Sequence, residues 1–159
     1  MEHHQTIGEM RYRRATMGDS AQLFIWRNDP VTRENSRNGK LLEFTEHTQW
    51  LETALQNSDR QIYIAEFENE QIGVVRTDRI GDVLELSWTV VPECRGKGLG
   101  KKMVVGFVME VLGSPSKLRA SIRKGNIASE KIALALGLRS VREESGADGP
   151  PMVVWETRI

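Results

Sequence analysis

A chain of 159 residues holds enough material for one domain with a real core and too little for two. Apolar residues make up 39% and charged residues 28%, the composition of an ordinary soluble globular protein. The 22 basic residues balance 22 acidic ones, which leaves no overall field to draw the chain to nucleic acid or an anionic membrane.

Residues 1–9 read as a flexible lead-in, and Met1-Glu2-His3-His4-Gln5 lacks the apolar stretch of a signal peptide. Residues 10–159 read as a single domain without repeats, low-complexity tracts or an internal linker. Arg11 to Ala15 predicts a short opening strand. Asp19 or Ser20 offers an N-cap for a first helix with Ala21, Phe24 and Ile25 on one face. Asn28-Asp29-Pro30 ends it, because proline disfavours helical geometry in the residue before it. Residues 31–43 are polar and irregular, with a turn signal at Asn38-Gly39. Thr45 then caps a second helix carrying Trp50, Leu51, Ala54 and Leu55 as an apolar stripe.

After Asn57-Ser58-Asp59 the period changes from helical to alternating. Runs at 61–65, 72–75 and 83–91, joined at Glu68-Asn69-Glu70 and Gly81-Asp82, predict a meander of three antiparallel strands. On the third, Leu84, Leu86, Trp88 and Val90 face one side, and Glu85, Ser87, Thr89 and Val91 the other. A long helix follows from Gly98 to Leu112, ended by Gly113-Ser114-Pro115. Leu118, Ala120 and Ile122 mark another strand, and Asn126 to Leu136 another helix with Gly137 as its left-handed cap. Val141 and Val153 to Trp155 predict two closing strands. No apolar run approaches the roughly 18 residues of a membrane span.

The segment from Thr89 to Gly100 runs from a strand through Pro92 into a turn with Gly96, Gly98 and Gly100, and then into a helix. Without Cβ atoms the backbone N–H groups of such a turn can crowd an anion. The first helical turn adds unpaired donors and the positive end of its dipole, and Arg95, Lys97, Lys101 and Lys102 add charge. That is a cradle for a phosphate or pyrophosphate. A dinucleotide fingerprint would follow the first strand of a parallel unit, and a Walker loop would end in Gly-Lys-Ser or Gly-Lys-Thr; neither pattern is present.

Val91-Pro92-Glu93-Cys94-Arg95-Gly96-Lys97-Gly98-Leu99-Gly100 resembles the V-x-P-x-x-R-G-x-G-x-G/A signature of the GNAT (Gcn5-related) N-acetyltransferases. Asn126-Ile127-Ala128-Ser129, with Leu136-Gly137-Leu138 beyond it, resembles the family's second block. The resemblance covers the chain from about Met10 to its end and implies an α+β GNAT fold with a mainly antiparallel, splayed central sheet and helices on both faces. It implies acetyl-CoA as co-substrate and no metal. By this resemblance Val90 and Val91 pair with the pantetheine arm and polarise the thioester carbonyl. The backbone N–H groups of Arg95, Gly96, Lys97, Gly98, Leu99, Gly100 and Lys101 hold the pyrophosphate, and Asn126 and Ser129 touch the arm or the phosphates. For Asn126 a plain helix N-cap is the competing reading.

Transfer of acetyl to an amine calls for a base, an oxyanion donor and a proton source for the thiolate. Glu85 is the candidate base, sharing a face with Ser87; its competing reading is a strand glutamate paired with a nearby Arg or Lys. Where many relatives place a tyrosine this chain has Ala133, so Ser87, Ser129, Tyr63 or a water is left as proton source. Cys94, the single cysteine, excludes an intramolecular disulfide, fits a cytoplasmic setting, and lies at a variable signature position rather than beside a His–Asp pair. Trp26, Arg27 and His47 are the candidate acceptor contacts, with a core or surface role competing for His47. The W-R-N…E-H-x-x-W arrangement resembles members that acetylate nucleotide-linked amino sugars, and some that act on protein N-termini. The expected partner is therefore a small-molecule amine, with no nucleic acid and no membrane, and a homodimer as a further expectation. The alternatives are a protein N-terminal or lysine acetyltransferase and, of a different class, a non-catalytic acyl-CoA-binding module.

Overall fold

A computed structural model of the chain describes residues 9–113, 115, 117–145 and 150–157; residues 1–8 of the expected lead-in, and Ser114 of the expected helix stop, lie outside the described residues. The alternating segments form strands β1 (Met10–Arg14), β2 (Arg60–Phe67), β3 (Glu70–Ile80), β4 (Val83–Val90), β5 (Leu118–Arg123), β6 (Leu138–Glu144) and β7 (Met152–Thr157). They join in one seven-stranded sheet of order β1-β2-β3-β4-β5-β7-β6, antiparallel except where β4 meets β5. The expected meander is β2-β3-β4. Glu68 and Asn69 both take positive φ, 54° and 68°, the backbone of a two-residue hairpin whose twist matches its strands.

Period-two alternation divides the sheet into two faces. Val75, Leu84 and Leu86 point to one side and are buried under Met103, Val104 and Phe107 of α4 (Leu99–Phe107) and Ile132 and Ala133 of α5 (Ile127–Ala135). Ile62, Ile64 and Val74 point to the other and pack with Leu23 and Trp26 of α1 (Ser20–Arg27) and Leu51 and Ala54 of α3 (Phe44–Gln56). By the same parity Arg76, Asp78, Glu85 and Ser87 continue this second face, and all four are partly exposed. β4 and β5 pair only at Leu84↔Leu118, Glu85↔Arg119 and Leu86↔Ala120, and then each runs on without the other. The sheet is splayed there, as the α+β expectation requires.

Three local expectations are corrected. The buried stripe of α1 is Ser20, Leu23 and Trp26, and Ile25 is 61% exposed. Turning the larger tryptophan to the sheet removes more apolar area from water than turning Ile25 would. Asp29-Pro30 ends α1 and also starts α2 (Pro30–Glu34): Asp29 Oδ2 accepts from Thr32 N–H at 3.1 Å, and proline suits the first helical position. The long helix keeps α geometry to Phe107 and closes in a wider π turn over Val108–Leu112, before Gly113 at φ 76°.

Gly73 is needed for close approach. A Cβ there would meet Thr89 O at 2.5 Å and Met103 Sδ at 2.6 Å, so α4 rests almost on the backbone of β3. Gly73→Ala is expected to cost about 1–3 kcal/mol, read as a lower denaturant midpoint at unchanged slope.

Candidate active site

The backbone of β4 shows what the splay leaves open. Leu84 N–H donates to Lys117 O at 3.0 Å, so the even-numbered residues of β4 turn their N–H and C=O groups toward β5. Trp88 and Val90 carry that parity into the stretch where β5 has departed, and their backbone groups face the gap. An extended ligand arm can pair there as an added strand. Val90 thus borders the gap, and so does Trp88, which the sequence reading missed because only backbone parity singles it out. Val91 is corrected: its N–H donates to Ile72 O and its C=O accepts from Cys94 N–H, both at 2.8 Å, so the chain itself uses both groups.

Beyond β4 the chain enters the glycine turn. Gly96 and Gly98 sit at φ 77° and 75°, and a Cβ on either would meet nothing within 4 Å, so the space above the turn is open. Gly98 is the N-cap of α4, and no side chain caps that helix. Its first-turn N–H groups therefore face outward with the positive end of the dipole. Lys97 and Lys101 are exposed beside them, and Lys102 Nζ lies 4.7 Å over the Phe67 ring. These features fit a diphosphate. Leu99 packs against the larger core, and a Cβ on Gly100 would press Val90 Cγ2 at 3.1 Å and Ile132 Cδ1 at 3.3 Å, so both also seat the helix.

For Arg95 only the reading of its side chain as mobile charge is corrected. Its guanidinium is committed to α2, 2.9 Å from Asp29 Oδ2 and donating to Thr32 Oγ1 at 2.9 Å, rather than being mobile charge over the turn. Burial pushes the Asp29 carboxyl up, but bonds from Thr32 N–H and Arg95 outweigh it and hold the group below its usual value. The side chain thereby joins the glycine turn to the helices of the other sheet face. Asn126 caps α5, its Oδ1 accepting from Ser129 N–H at 3.4 Å, and Ser129 Oγ accepts from the Trp88 indole at 3.1 Å. The side chains of Asn126 and Ser129 thus brace the far wall of the gap.

Glu85 and Ser87 stand on the sheet face beside α1 and α3. Glu85 Oε2 lies 3.6 Å from Arg119, its cross-strand partner, and accepts a long 3.5 Å contact from Ser121 Oγ, one residue past the point where the pairing of β4 and β5 ends. Glu85 is therefore ion-paired, and it borders the gap. Of the remaining proton sources, Tyr63 packs edge-on to Phe107 at 5.1 Å, on the opposite face. Ala133, where a tyrosine was expected, is wholly buried in the core.

The acceptor-side residues divide. Trp26 is 6% exposed and belongs to the core, because it is the anchor of α1. His47 is 2% exposed, between Phe24 at 5.6 Å and Trp50 at 6.0 Å. Burial, and then the Arg27 charge, hold its pKa below the usual histidine value, while the Ser20 backbone opposes the shift. It is a core imidazole. Arg27 alone faces solvent, 4.6 Å over the Trp50 ring. Cys94 is half-buried and touches both clusters.

Among the described residues no three His, Cys, Asp or Glu side chains are grouped as metal ligands, and no helix is long and apolar enough to cross a membrane. No curated protein matches the sequence. Solved structures do. A ribosomal-protein-alanine N-acetyltransferase from Brucella melitensis superposes with TM-score 0.76 at 22% identity, over 94% of this chain and 99% of that one. The AAC(6′)-Ib structure with ribostamycin and coenzyme A gives 0.78 at 20% identity, over 93% and 92%. The yncA protein of Salmonella typhimurium with its cofactor acetyl-CoA gives 0.75 at 20% identity, over 94% of each chain. These likenesses fix the fold. Residues 9–139 match the family model described as the acetyltransferase (GNAT) domain, which takes in the splayed strands, the glycine turn and α5 alike, and the chain belongs to the GNAT family of acetyl-CoA-dependent acetyltransferases.

Proposed function

We propose that the protein transfers the acetyl group of acetyl-CoA to the primary amine of a small molecule, directly and within a ternary complex. The observation that carries this reading is the position of Glu85 and Ser87 beside the gap between β4 and β5, on the face lined by α1 and α3. Bound acetyl-CoA supplies the activated thioester. The N–H groups of the 96–101 turn hold its diphosphate, with Lys97 and Lys101 adding charge. The outward backbone groups of Trp88 and Val90 pair with the pantetheine arm, and a Val90 N–H donor at the thioester carbonyl stabilises charge developing there. Glu85 removes a proton from the amine, directly or through one water, and its contact with Arg119 sets its orientation. The C–S bond breaks as the amide forms, and Ser87, on the same face, passes a proton to the departing CoA thiolate and regains one from protonated Glu85 through water. The setting we propose is the cytoplasm, in keeping with one unpaired thiol.

The test is release of CoA thiol across a panel of amino sugars, amino acids, peptide N-termini and a lysine peptide, with acetyl-CoA binding measured in parallel. Turnover on a small amine, with intersecting double-reciprocal lines, is expected. Binding without turnover on any amine would make the chain a sensing module, and turnover on peptides alone would replace the acceptor class. Cys94→Ala is expected to keep kcat/KM within about twofold, because the thiol carries no acetyl group. Loss of activity with binding intact, or an acetyl adduct on Cys94 before acceptor is added, would establish a ping-pong route.

A further inference from the structure

Trp50 of α3 stands among three arginines delivered by three elements. The Arg27 guanidinium, at the end of α1, lies 4.6 Å from the ring centroid, and Arg60 of β2 and Arg76 of β3 each lie 5.9 Å from it. Asp78 is the carboxylate of the group, 2.5 Å from Arg60 and 3.1 Å from Arg76. Three guanidiniums against one carboxylate leave two positive charges in excess. Among the described residues Arg27 has no ion pair; the residue keeps an exposed edge while its guanidinium packs on Trp50. Burial, and then the charges of Arg76 and Arg60, push its pKa down, so the fold holds like charges together against their repulsion.

Cation–π stacking on Trp50 contributes about 0.5–1 kcal/mol per exposed pair, which helps to hold the arginines but leaves their outward N–H forks unused. Planar guanidinium forks match the oxygen pairs of phosphates and carboxylates, and an arriving oxyanion would relieve the repulsion it finds. The position of the cluster gives it a use. Arg76 is the cross-strand partner of Ser87, and Asp78 of Glu85, on one face of neighbouring strands. Side chains directly opposite on paired strands stand about 5 Å apart. One small molecule can therefore set its amine over Glu85 and reach the arginines with a neighbouring group.

Resting on the acetyl-transfer reading, we propose that Arg27, Arg60 and Arg76, backed by Trp50, form an anion subsite for the acceptor, whose amine is accompanied by a phosphate or carboxylate. A polycationic amine would meet the same excess charge as repulsion. The ribostamycin seen with AAC(6′)-Ib is such a compound, so the shared fold carries a different acceptor preference here.

The experiment compares matched acceptors: glucosamine with glucosamine 6-phosphate, ethanolamine with phosphoethanolamine and with β-alanine, and ribostamycin as the polycation. The anionic member of a pair is expected to gain at least about tenfold in kcat/KM, an advantage that shrinks with added salt. Phosphoethanolamine against β-alanine tells phosphate from carboxylate. In Arg27→Gln and in Arg76→Gln the anionic-to-neutral ratio of kcat/KM should fall by about tenfold, and Arg27→Lys should restore part of it through charge without the fork. Calorimetric titration of glucosamine 6-phosphate into the CoA-loaded protein reads the subsite without turnover. Binding lost in Arg27→Gln, with no acetylation of any amine, would overturn the catalytic reading and uphold the subsite. Equal kcat/KM within every pair, or preference for ribostamycin, would overturn the subsite and leave the catalytic reading standing.

Discussion

Gly98→Asp is expected to weaken acetyl-CoA binding by at least tenfold, about 1.4 kcal/mol, while the protein stays folded. The two halves of that expectation come from different features of one residue. Gly98 is the N-cap of α4 at φ 75°, and a Cβ added there meets nothing within 4 Å. Aspartate tolerates the left-handed region better than most residues, so the strain is held to about 1–2 kcal/mol. Its carboxylate then sets a negative charge where the diphosphate must lie. Isothermal titration with CoA measures the loss, and circular dichroism with a melting curve shows that the fold survives. A folded mutant that binds CoA as well as the parent chain does would remove the diphosphate from this turn.

The residues differ in how far sequence alone reveals them, and the difference is physical. The hairpin at Glu68-Asn69 and the glycine turn are written locally, because turn backbones demand particular residues at particular positions. The burial of Trp26 and His47 is not local. It depends on which side of α1 and α3 meets the sheet, and an exposed and a buried aromatic look alike in a helical stripe. Arg95 sits at a signature position, so cofactor contact is the natural reading; only the fold brings Asp29 and Thr32 to it. Arg76 and Asp78 could have been found. Their alternation with Val75 and Thr77 extends β3 to Ile80 and puts both on the Glu85 face, but the polar run after Val75 hides the strand.

Glu85→Gln is expected to lower kcat by about a hundredfold or more while leaving the CoA dissociation constant unchanged. Glu85 lies on the face shared with α1 and α3, whereas the glycine turn lies past the end of β4, so the substitution removes no cofactor contact. Glutamine keeps the size of the side chain and an oxygen for Ser121. What it loses is a partly exposed ion pair with Arg119, a kind of contact that contributes about 0–1 kcal/mol to stability. A collapse of the fold is therefore not expected to mimic a loss of chemistry. The pH profile separates a base from a mere neighbour. Without Glu85 only the fraction of amine already neutral in solution can attack, and that fraction rises with pH. The deficit of the mutant should narrow steadily from about pH 6 to pH 9. Wild-type kcat/KM across that range would take the base role away from Glu85. A raised acceptor KM at unchanged kcat would recast the residue as a binding contact for the ammonium form of the acceptor, with water left to take the proton.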